Sequence, residues 1–208
     1  TAAPHISEHR DVAPWPPLQT LQAEKEALGL YLTGHPVETQ AEELGQFTDC
    51  TLGAVKHRIP QNGKQSRRGT PMTLAGLVHV VRRRGNRGVF VALDDHTGRI
   101  EVSLYDVAWT LFSDLLVKDE IIVVEGQVSS NSFSGGYQIR AQKIMTLTQA
   151  RSRFAKGVRI ALAGPVDDLL TRLEYVFATY REGSDPVWLD YSNAQARARL
   201  ELGPEWQV

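Results

Sequence analysis

The feature that most constrains the fold is a set of five apolar or alternating runs between Met72 and Leu147, where the hydrophobic period is that of strands. The runs are MTLAGLVHVV, VFVALDD, RIEVSLY, EIIVVEGQVS and GGYQIRAQKIMTL. The turn signals RRRGNR, DDHTG and SSNSFSGG lie between runs. Between the third and fourth runs, Val107, Leu111 and Leu115 repeat at helical spacing. The sequence therefore predicts three strands, a helix and two further strands.

This order of elements is that of the OB-fold, a five-stranded Greek-key barrel. Upstream of it, the pattern predicts a helix over 18–32 that Gly34-His35-Pro36 ends, and a second short helix over 37–44. From Thr48 the chain loosens, and RIPQNGKQSRRGTP forms a turn-rich basic connector.

Downstream of the barrel, the pattern predicts a helical bridge at 148–155, a strand at 158–162, a helix at 166–179 and strands at 187–191 and 196–202. Such a β-α-β-β run would leave one sheet edge unpaired, so we expect a domain that is cut short. The predicted fold class is mainly β with α: a five-stranded OB-fold barrel, preceded by a short helical region and followed by a truncated α+β domain.

Charge is distributed unevenly along the chain, although the formal net charge is only -1. The segment from Thr51 to Leu93 contains no Asp or Glu, whereas the first fifty residues are acidic. The cations of this segment are Lys56, Arg58, Lys64, Arg67, Arg68, Arg82, Arg83, Arg84 and Arg87. A local positive field attracts polyanions whatever the overall charge of the chain.

An OB barrel predicts where these arginines lie, because its ligand surface is formed by strands two and three with the loops joining strands one to two and four to five. The first loop spans Arg82 to Arg87 and the second spans Ser129 to Gly136. Alternation points Val89, Val91, Leu93, Ile100, Val102 and Leu104 inward and leaves Phe90 and Tyr105 outside. Aromatic rings beside arginines are typical of single-stranded nucleic-acid binding. The predicted binding residues are Arg82, Arg83, Arg84, Arg87, Phe90, Tyr105, Phe133 and Arg140.

Each of these features also has a simpler explanation. A basic hairpin loop is usually solvated, the rings can cap the barrel, and Glu101 beside the stacking surface would repel phosphate. The turn Asp94-Asp95-His96-Thr97-Gly98 is explained by ordinary hairpin chemistry, and the scattered histidines predict no metal site. Cys50 is the only cysteine, so no disulfide within the chain is possible.

No catalytic motif is visible, since the sequence contains no Walker A loop, no GxSxG elbow and no GxGxxG after a strand. The apolar runs are shorter than the roughly 18 residues that a membrane-spanning helix needs. The amino-terminal TAAPHISEHRD has neither the basic nor the apolar region of a signal peptide. We therefore expect a cytoplasmic protein that makes no membrane contact.

Three stretches together resemble one specific family. They are EKEALGLYLTGHP (24–36), RGNRGVFVALDDHTGRIEV (84–102) and GQVSSNSFSGGYQI (126–139), and NAQARARLELGPEW (193–206) is similar to the start of that family's last domain. The family is the alpha subunit of bacterial DNA polymerase III, a C-family replicative polymerase, and the resemblance is to its C-terminal third. It covers nearly the whole chain.

The resemblance implies three regions: 1–68 as the tail of the clamp-binding region and a basic linker, 69–147 as an OB-fold domain that binds single-stranded DNA, and 148–208 as the start of a domain that docks the tau subunit of the clamp loader. The arginines of 82–87 fall in the family's basic loop, and Phe133 to Gly136 match its FSGG loop. The resemblance also implies that the palm domain, whose acidic residues hold magnesium, lies upstream of this chain. A DNA-directed DNA polymerase (a nucleotidyltransferase) is thus the parent activity, while this chain by itself is expected to need no cofactor and to be inactive.

Two other functions compete with DNA binding. The barrel can be a structural spacer and protein-interaction module without significant DNA binding, in which case its basic loops remain solvated. An OB appendage of an aminoacyl-tRNA synthetase is disfavoured because the chain contains no adenylate-forming motif.

Overall fold

The computed structural model describes residues 14–59, 69–83, 85, 88–131, 136–163, 168–180 and 183–208. The chain divides into two compact units, residues 1–147 and 148–208. Each unit has its own hydrophobic core. Among the described residues, no helix is long and apolar enough to cross a membrane.

Five strands of the first unit form a closed barrel in the order β1-β2-β3-β5-β4. The strands are β1 (Thr70–Arg83), β2 (Val89–Asp94), β3 (Arg99–Leu104), β4 (Ile121–Asn131) and β5 (Gly136–Thr146). β3 and β5 run parallel, and the other neighbouring pairs are antiparallel. The barrel confirms the predicted OB-fold and its five strands.

The barrel core follows the predicted alternation along β2 and β3. The six residues expected to point inward are each at most 3% exposed, and they pack with side chains from the other three strands. Those six residues are Val89, Val91, Leu93, Ile100, Val102 and Leu104. At about 25 cal/mol per Å² of buried apolar surface, such a core is the main stabilising contribution to the unit.

Helix α4 (Asp106–Phe112) and a 3₁₀ turn (Ser113–Leu115) connect β3 to β4, as predicted. The helix packs on the barrel core through Ala108, Trp109 and Phe112, and Leu115 of the turn joins them. Val107 and Leu111, whose spacing predicted the helix, are 72% and 66% exposed. The spacing of apolar residues predicted the helix correctly. The face that packs on the barrel, however, is adjacent to the face that carries Val107 and Leu111.

Short helical elements precede the barrel. They are α1 (Pro17–Leu28), a 3₁₀ turn (Glu38–Gln40), α2 (Ala41–Leu44), a second 3₁₀ turn (Leu52–Ala54) and α3 (Val55–Arg58). α1 ends four residues earlier than predicted because Gly29 adopts φ +75°, and its N–H donates to the Lys25 carbonyl at 2.9 Å. The last two elements lie where the sequence indicated a loose chain, and Leu52 and Val55 belong to the barrel core. Most of the predicted basic connector lies outside the described residues.

The second unit contains α5 (Leu147–Phe154), β6 (Val158–Ala163), α6 (Leu169–Phe177), β7 (Val187–Ser192) and β8 (Arg197–Glu201), and a 3₁₀ turn (Pro204–Trp206) follows. The sheet order is β6-β7-β8, with β6 parallel and β8 antiparallel to β7. Leu173 and Phe177 of α6 pack on Val187 and Leu189 of β7. This unit matches the predicted order of strands and helices.

Candidate nucleic-acid interface

A row of four side chains crosses the outer face of the barrel at one level. Arg82 on β1 is paired with Phe90 on β2, Phe90 with Ser103 on β3, and Ser103 with Arg140 on β5. Directly opposed residues share a face, and the neighbours of Phe90, Ser103 and Arg140 along their strands point into the core. We call these four residues the cationic row. At about 4.8 Å per strand, the path along the curved sheet from one arginine to the other is roughly 14 Å.

The two ends of the cationic row are open to solvent. Arg82 and Arg140 are exposed, and neither makes an ion pair with a carboxylate within the described ranges. Phe90 is half-buried, while Ser103 is 2% exposed and its hydroxyl donates to the Ile139 carbonyl at 3.5 Å. The row therefore presents two uncompensated positive charges on either side of an aromatic ring and a small residue.

A second set of outward residues lies two positions along the strands. Ala92 on β2 is paired with Glu101 on β3, and Glu101 with Gln138 on β5. We call these three residues the polar row. The side-chain amide of Asn131 donates a hydrogen bond to a Glu101 carboxylate oxygen at 3.4 Å, and Asn131 is 9% exposed. This contact holds the one acidic side chain of the two rows at the face.

Arg83 has a different environment from Arg82. Its guanidinium carbon lies 4.9 Å from the centre of the Trp109 ring on α4, which is a cation–π distance. It is paired with inward-pointing Val89, so the two neighbouring arginines leave the strand on opposite faces. Arg83 is thus directed toward the helix and away from the cationic row.

Tyr105 lies just beyond the end of β3 and is 47% exposed. A Cβ at Gly88 would collide with the Leu104 carbonyl and lie 3.2 Å from the Tyr105 ring, and Gly88 has φ +110°. Glycine is required there because both the backbone angle and the close approach exclude a side chain. The end of the β1–β2 loop is thereby held against the base of Tyr105.

Three predicted binding residues, Arg84, Arg87 and Phe133, lie outside the described residues. The ends of their two loops are placed by the strand registers. Val89, which follows the first loop, is paired with Leu104, while Asn131, which precedes the second, contacts Glu101. The described ends of the two loops thus lie beside opposite ends of β3.

The turn between β2 and β3 has a role that sequence reasoning missed. Asp95 is 6% exposed and accepts hydrogen bonds from the Thr97 and Gly98 amides and the Thr97 hydroxyl, at 2.9, 3.0 and 2.7 Å. It also accepts one from the Leu52 amide at 2.7 Å, and the Gly53 amide donates to the Thr97 hydroxyl at 3.0 Å. The turn therefore anchors the segment that precedes the barrel. The pairing of two aspartates with Thr97-Gly98 was visible in the sequence, but its partner 43 residues earlier was not.

Asp94, on the same turn, is surrounded by donors and cations. Its carboxylate accepts from the Arg99 guanidinium at 2.5 Å and from the His96 amide at 2.8 Å, and the His35 ring lies 3.9 Å away. Burial raises the pKa of Asp94, but the amide and the guanidinium outweigh it, so the pKa lies below its usual value. Burial lowers the pKa of His35, with the carboxylates of Asp94 and Glu38 opposing that shift. The described residues contain no cluster of three or more His, Cys, Asp or Glu side chains suited to a metal ion.

Comparisons with known proteins first define a class. Residues 72–147, which include all five strands of the barrel except the first two residues of β1, match the family model described as "OB-fold nucleic acid binding domain". The matched segment contains both rows and α4. The first unit therefore contains a barrel of the OB-fold class.

The remaining comparisons define the family. Residues 172–208 match the model of the "DNA polymerase III subunit alpha, C-terminal domain". The chain is 40% identical over its full length to the DNA polymerase III subunit alpha of Vibrio cholerae, and 41% identical over 94% of its length to that of Escherichia coli strain K12. The chain belongs to the DNA polymerase III alpha subunit family and corresponds to its C-terminal region. It spans 18% and 17% of the length of these two relatives.

Solved structures align over a smaller part of the chain. Asparaginyl-tRNA synthetase from Pyrococcus horikoshii aligns with a TM-score of 0.35 and 24% identity, covering 38% of this chain and 19% of that one.

Proposed function

We propose that the barrel binds single-stranded DNA across the cationic row. Arg82 and Arg140 contact phosphates on either side, and Phe90 supplies a surface on which a base stacks. The observation that carries the proposal is that these two arginines lie at one level on the outer surface of the barrel, on either side of Phe90 and Ser103, without carboxylate partners in the described ranges. The match to an OB-fold nucleic-acid-binding model and to a polymerase subunit supports a nucleic-acid ligand.

The two loops extend the same proposal. Arg84, Arg87 and Phe133 lie outside the described residues, and we include them because they belong to loops whose described ends lie beside β3. Tyr105 contributes a second exposed ring near the first loop. Arg83 acts less directly, because its guanidinium stacks on Trp109.

The test is fluorescence anisotropy with a labelled single-stranded oligonucleotide over a range of salt concentrations. Replacing Arg82 and Arg140 together with alanine removes two phosphate contacts. The affinity is expected to fall about 10- to 30-fold, and the slope of log K against log salt to become shallower by about 1.4, since each contact contributes about 0.7 for a single strand.

A matched control removes the same charge elsewhere in the same unit. Lys56 and Arg58 are exposed on α3, and the double alanine variant changes the net charge equally. We expect its salt slope to match that of the wild type. Equal losses in both double variants would mean that only the overall charge matters, and the proposed row would then have no specific role.

A second function is favoured by the anchored β2–β3 turn. Asp95 and Thr97 accept hydrogen bonds from the Leu52 and Gly53 amides and so fix the preceding segment to the barrel, as a spacer between binding regions requires. In that case the barrel orients the regions that precede and follow it in the chain, and its arginines stay solvated. If the chain does not bind an oligonucleotide at low salt but still binds its protein partners, the barrel acts as a spacer and the DNA site is excluded.

We also propose partners and a parent activity from the family. The second unit docks the clamp-loader tau subunit, the region before the barrel adjoins the sliding-clamp contact, and the longer polypeptide is a cytoplasmic DNA-directed DNA polymerase. What supports this is the match of residues 172–208 to the subunit's C-terminal domain. Isothermal titration of the 208-residue chain with purified tau tests the docking, and a primer-extension assay of the same chain is expected to show no synthesis.

A further inference from the structure

The acidic side chain of the polar row lies where a phosphate-binding face should exclude it. Glu101 is half-buried on β3, between Ala92 and Gln138, and no cation pairs with it within the described ranges. A carboxylate beside a polyanion raises the free energy of binding unless it contacts a different part of the ligand. The neighbouring amide of Asn131 holds it at the face rather than turning it away.

The strand registers place this carboxylate beside the proposed stacking ring. Phe90 is paired with Ser103, and Glu101 precedes Ser103 by two residues, so Phe90 and Glu101 are diagonal neighbours on one face. Diagonal neighbours lie about 7–8 Å apart at the backbone, within reach of long side chains. A base that stacks on Phe90 therefore brings one of its edges toward Glu101.

Base edges differ in what they offer a carboxylate. Cytosine, adenine and guanine carry an exocyclic amino group that donates, whereas thymine has only its ring N3–H as a donor and presents a carbonyl oxygen, which repels the carboxylate, where cytosine presents its amino group. An ionised carboxylate is an acceptor only. The contact therefore discriminates between bases of equal size.

We propose that Glu101 is a specificity-determining residue that accepts a hydrogen bond from the exocyclic amino group of the base stacked on Phe90. The site then prefers single strands rich in cytosine or adenine over those rich in thymine. Asn131 is the positioning residue for this carboxylate. The inference rests on the proposed single-stranded DNA binding, and it adds a base preference to a site whose arginines carry none.

The experiment measures the affinities of oligo(dC) and oligo(dT) of equal length for the 208-residue chain at slightly alkaline pH and low salt. These two strands have pyrimidines of similar size, so stacking differs little. The wild type is expected to bind oligo(dC) about tenfold more tightly, the effect of one hydrogen bond to a charged group. Glu101→Ala is expected to reduce this ratio to about one and to bind oligo(dT) more tightly than the wild type, because the repulsion is lost.

Two further variants keep the outcome clear. Glu101→Gln provides a neutral amide that accepts from cytosine more weakly and can also donate to the thymine carbonyl, so the preference should fall to at most about threefold. Arg82→Ala should weaken both strands equally and leave the ratio unchanged, because a phosphate contact does not distinguish bases. Circular dichroism verifies that each variant is folded.

The outcomes separate the two claims. Binding by the wild type with equal affinity for both strands, or an unchanged ratio in folded Glu101→Ala and Glu101→Gln, would overturn the base preference and leave the DNA site intact. Failure of the wild type to bind either strand at low salt would overturn the proposed DNA site and the preference together.

Discussion

The barrel carries two charged regions that are built in opposite ways. At the β2–β3 turn the acidic groups have partners: Asp94 pairs with Arg99, and Asp95 accepts four hydrogen bonds. At the cationic row, Arg82 and Arg140 have no carboxylate partner among the described residues. The comparison indicates that paired charges hold the structure together, whereas unpaired charges remain available to a ligand.

The largest expected effect is on the stability of the paired region. Asp95→Ala leaves the buried Leu52 amide and the turn amides without an acceptor, and we expect the free energy of unfolding to fall by about 3 kcal/mol. Urea denaturation followed by circular dichroism measures it. Asp95→Asn, which keeps one carbonyl oxygen, should lose about half as much, and the exposed Asp114→Ala should lose little. A neutral Asp95→Ala would show that the turn does not anchor the preceding segment.

A smaller effect is expected at the aromatic centre of the cationic row. Phe90→Leu keeps an apolar side chain but removes the ring, so oligonucleotide affinity should fall about fivefold to tenfold, in line with about 1–1.4 kcal/mol for one stacked base. Anisotropy titration measures it. The salt slope should stay the same because no charge is lost. A shallower slope would mean that the mutation displaces the arginines instead.

Replacing one arginine with alanine in each region tests whether the two regions differ. Arg99→Ala should lower the free energy of unfolding by up to about 1 kcal/mol, the usual value of an exposed ion pair, and leave DNA affinity unchanged. Arg82→Ala should do the reverse, weakening DNA binding about threefold to fivefold without a change in stability. Both variants are measured by urea denaturation and anisotropy. If the two variants change the free energy of unfolding and the DNA affinity in the same way, the two regions do not differ in function.

The smallest effect concerns pH. Burial holds the pKa of His35 below its usual value of about 6.5, so the unfolded chain binds more protons than the folded one as the pH falls through that value. Stability is therefore greatest above about pH 6.5 and declines below it. Thermal unfolding of the wild type and of His35→Asn over this pH range measures the effect. The groups that face His35 are Asp94, Glu38, Asp95 and His96. If both proteins show the same pH dependence, His35 is not its source.

Most of the barrel was predictable because strand alternation and turn residues are local properties. Val89, Val91 and Leu93 were assigned inward from a period of two residues, and the structure confirms it. The spacing of Val107, Leu111 and Leu115 predicts helix α4, but the side chains of the helix that pack on the core are the partly buried Ala108, Trp109 and Phe112. A seven-residue segment with apolar groups on two faces does not reveal which one meets the barrel.

The site was only partly predictable because it depends on strand register. The sequence predicts Phe90, Arg82 and Arg140 as separate binding residues, but their alignment across three strand pairs follows from long-range pairing. The contact of Asn131 with Glu101 and that of Leu52 with Asp95 join residues 30 and 43 positions apart. Such contacts are set by tertiary structure and leave no periodic signal in the sequence.

The placement of Leu52 and Val55 among the barrel's buried side chains has a practical consequence for protein engineering. A truncation that starts at Gly69, where the strands alone suggest the domain begins, would remove both and open the interior to water. It would also remove the Leu52 amide, which donates a hydrogen bond to the buried Asp95 carboxylate. An isolated version for crystallisation or NMR should therefore begin before Asp49, whose carboxylate accepts a hydrogen bond from the Thr73 amide of the first strand.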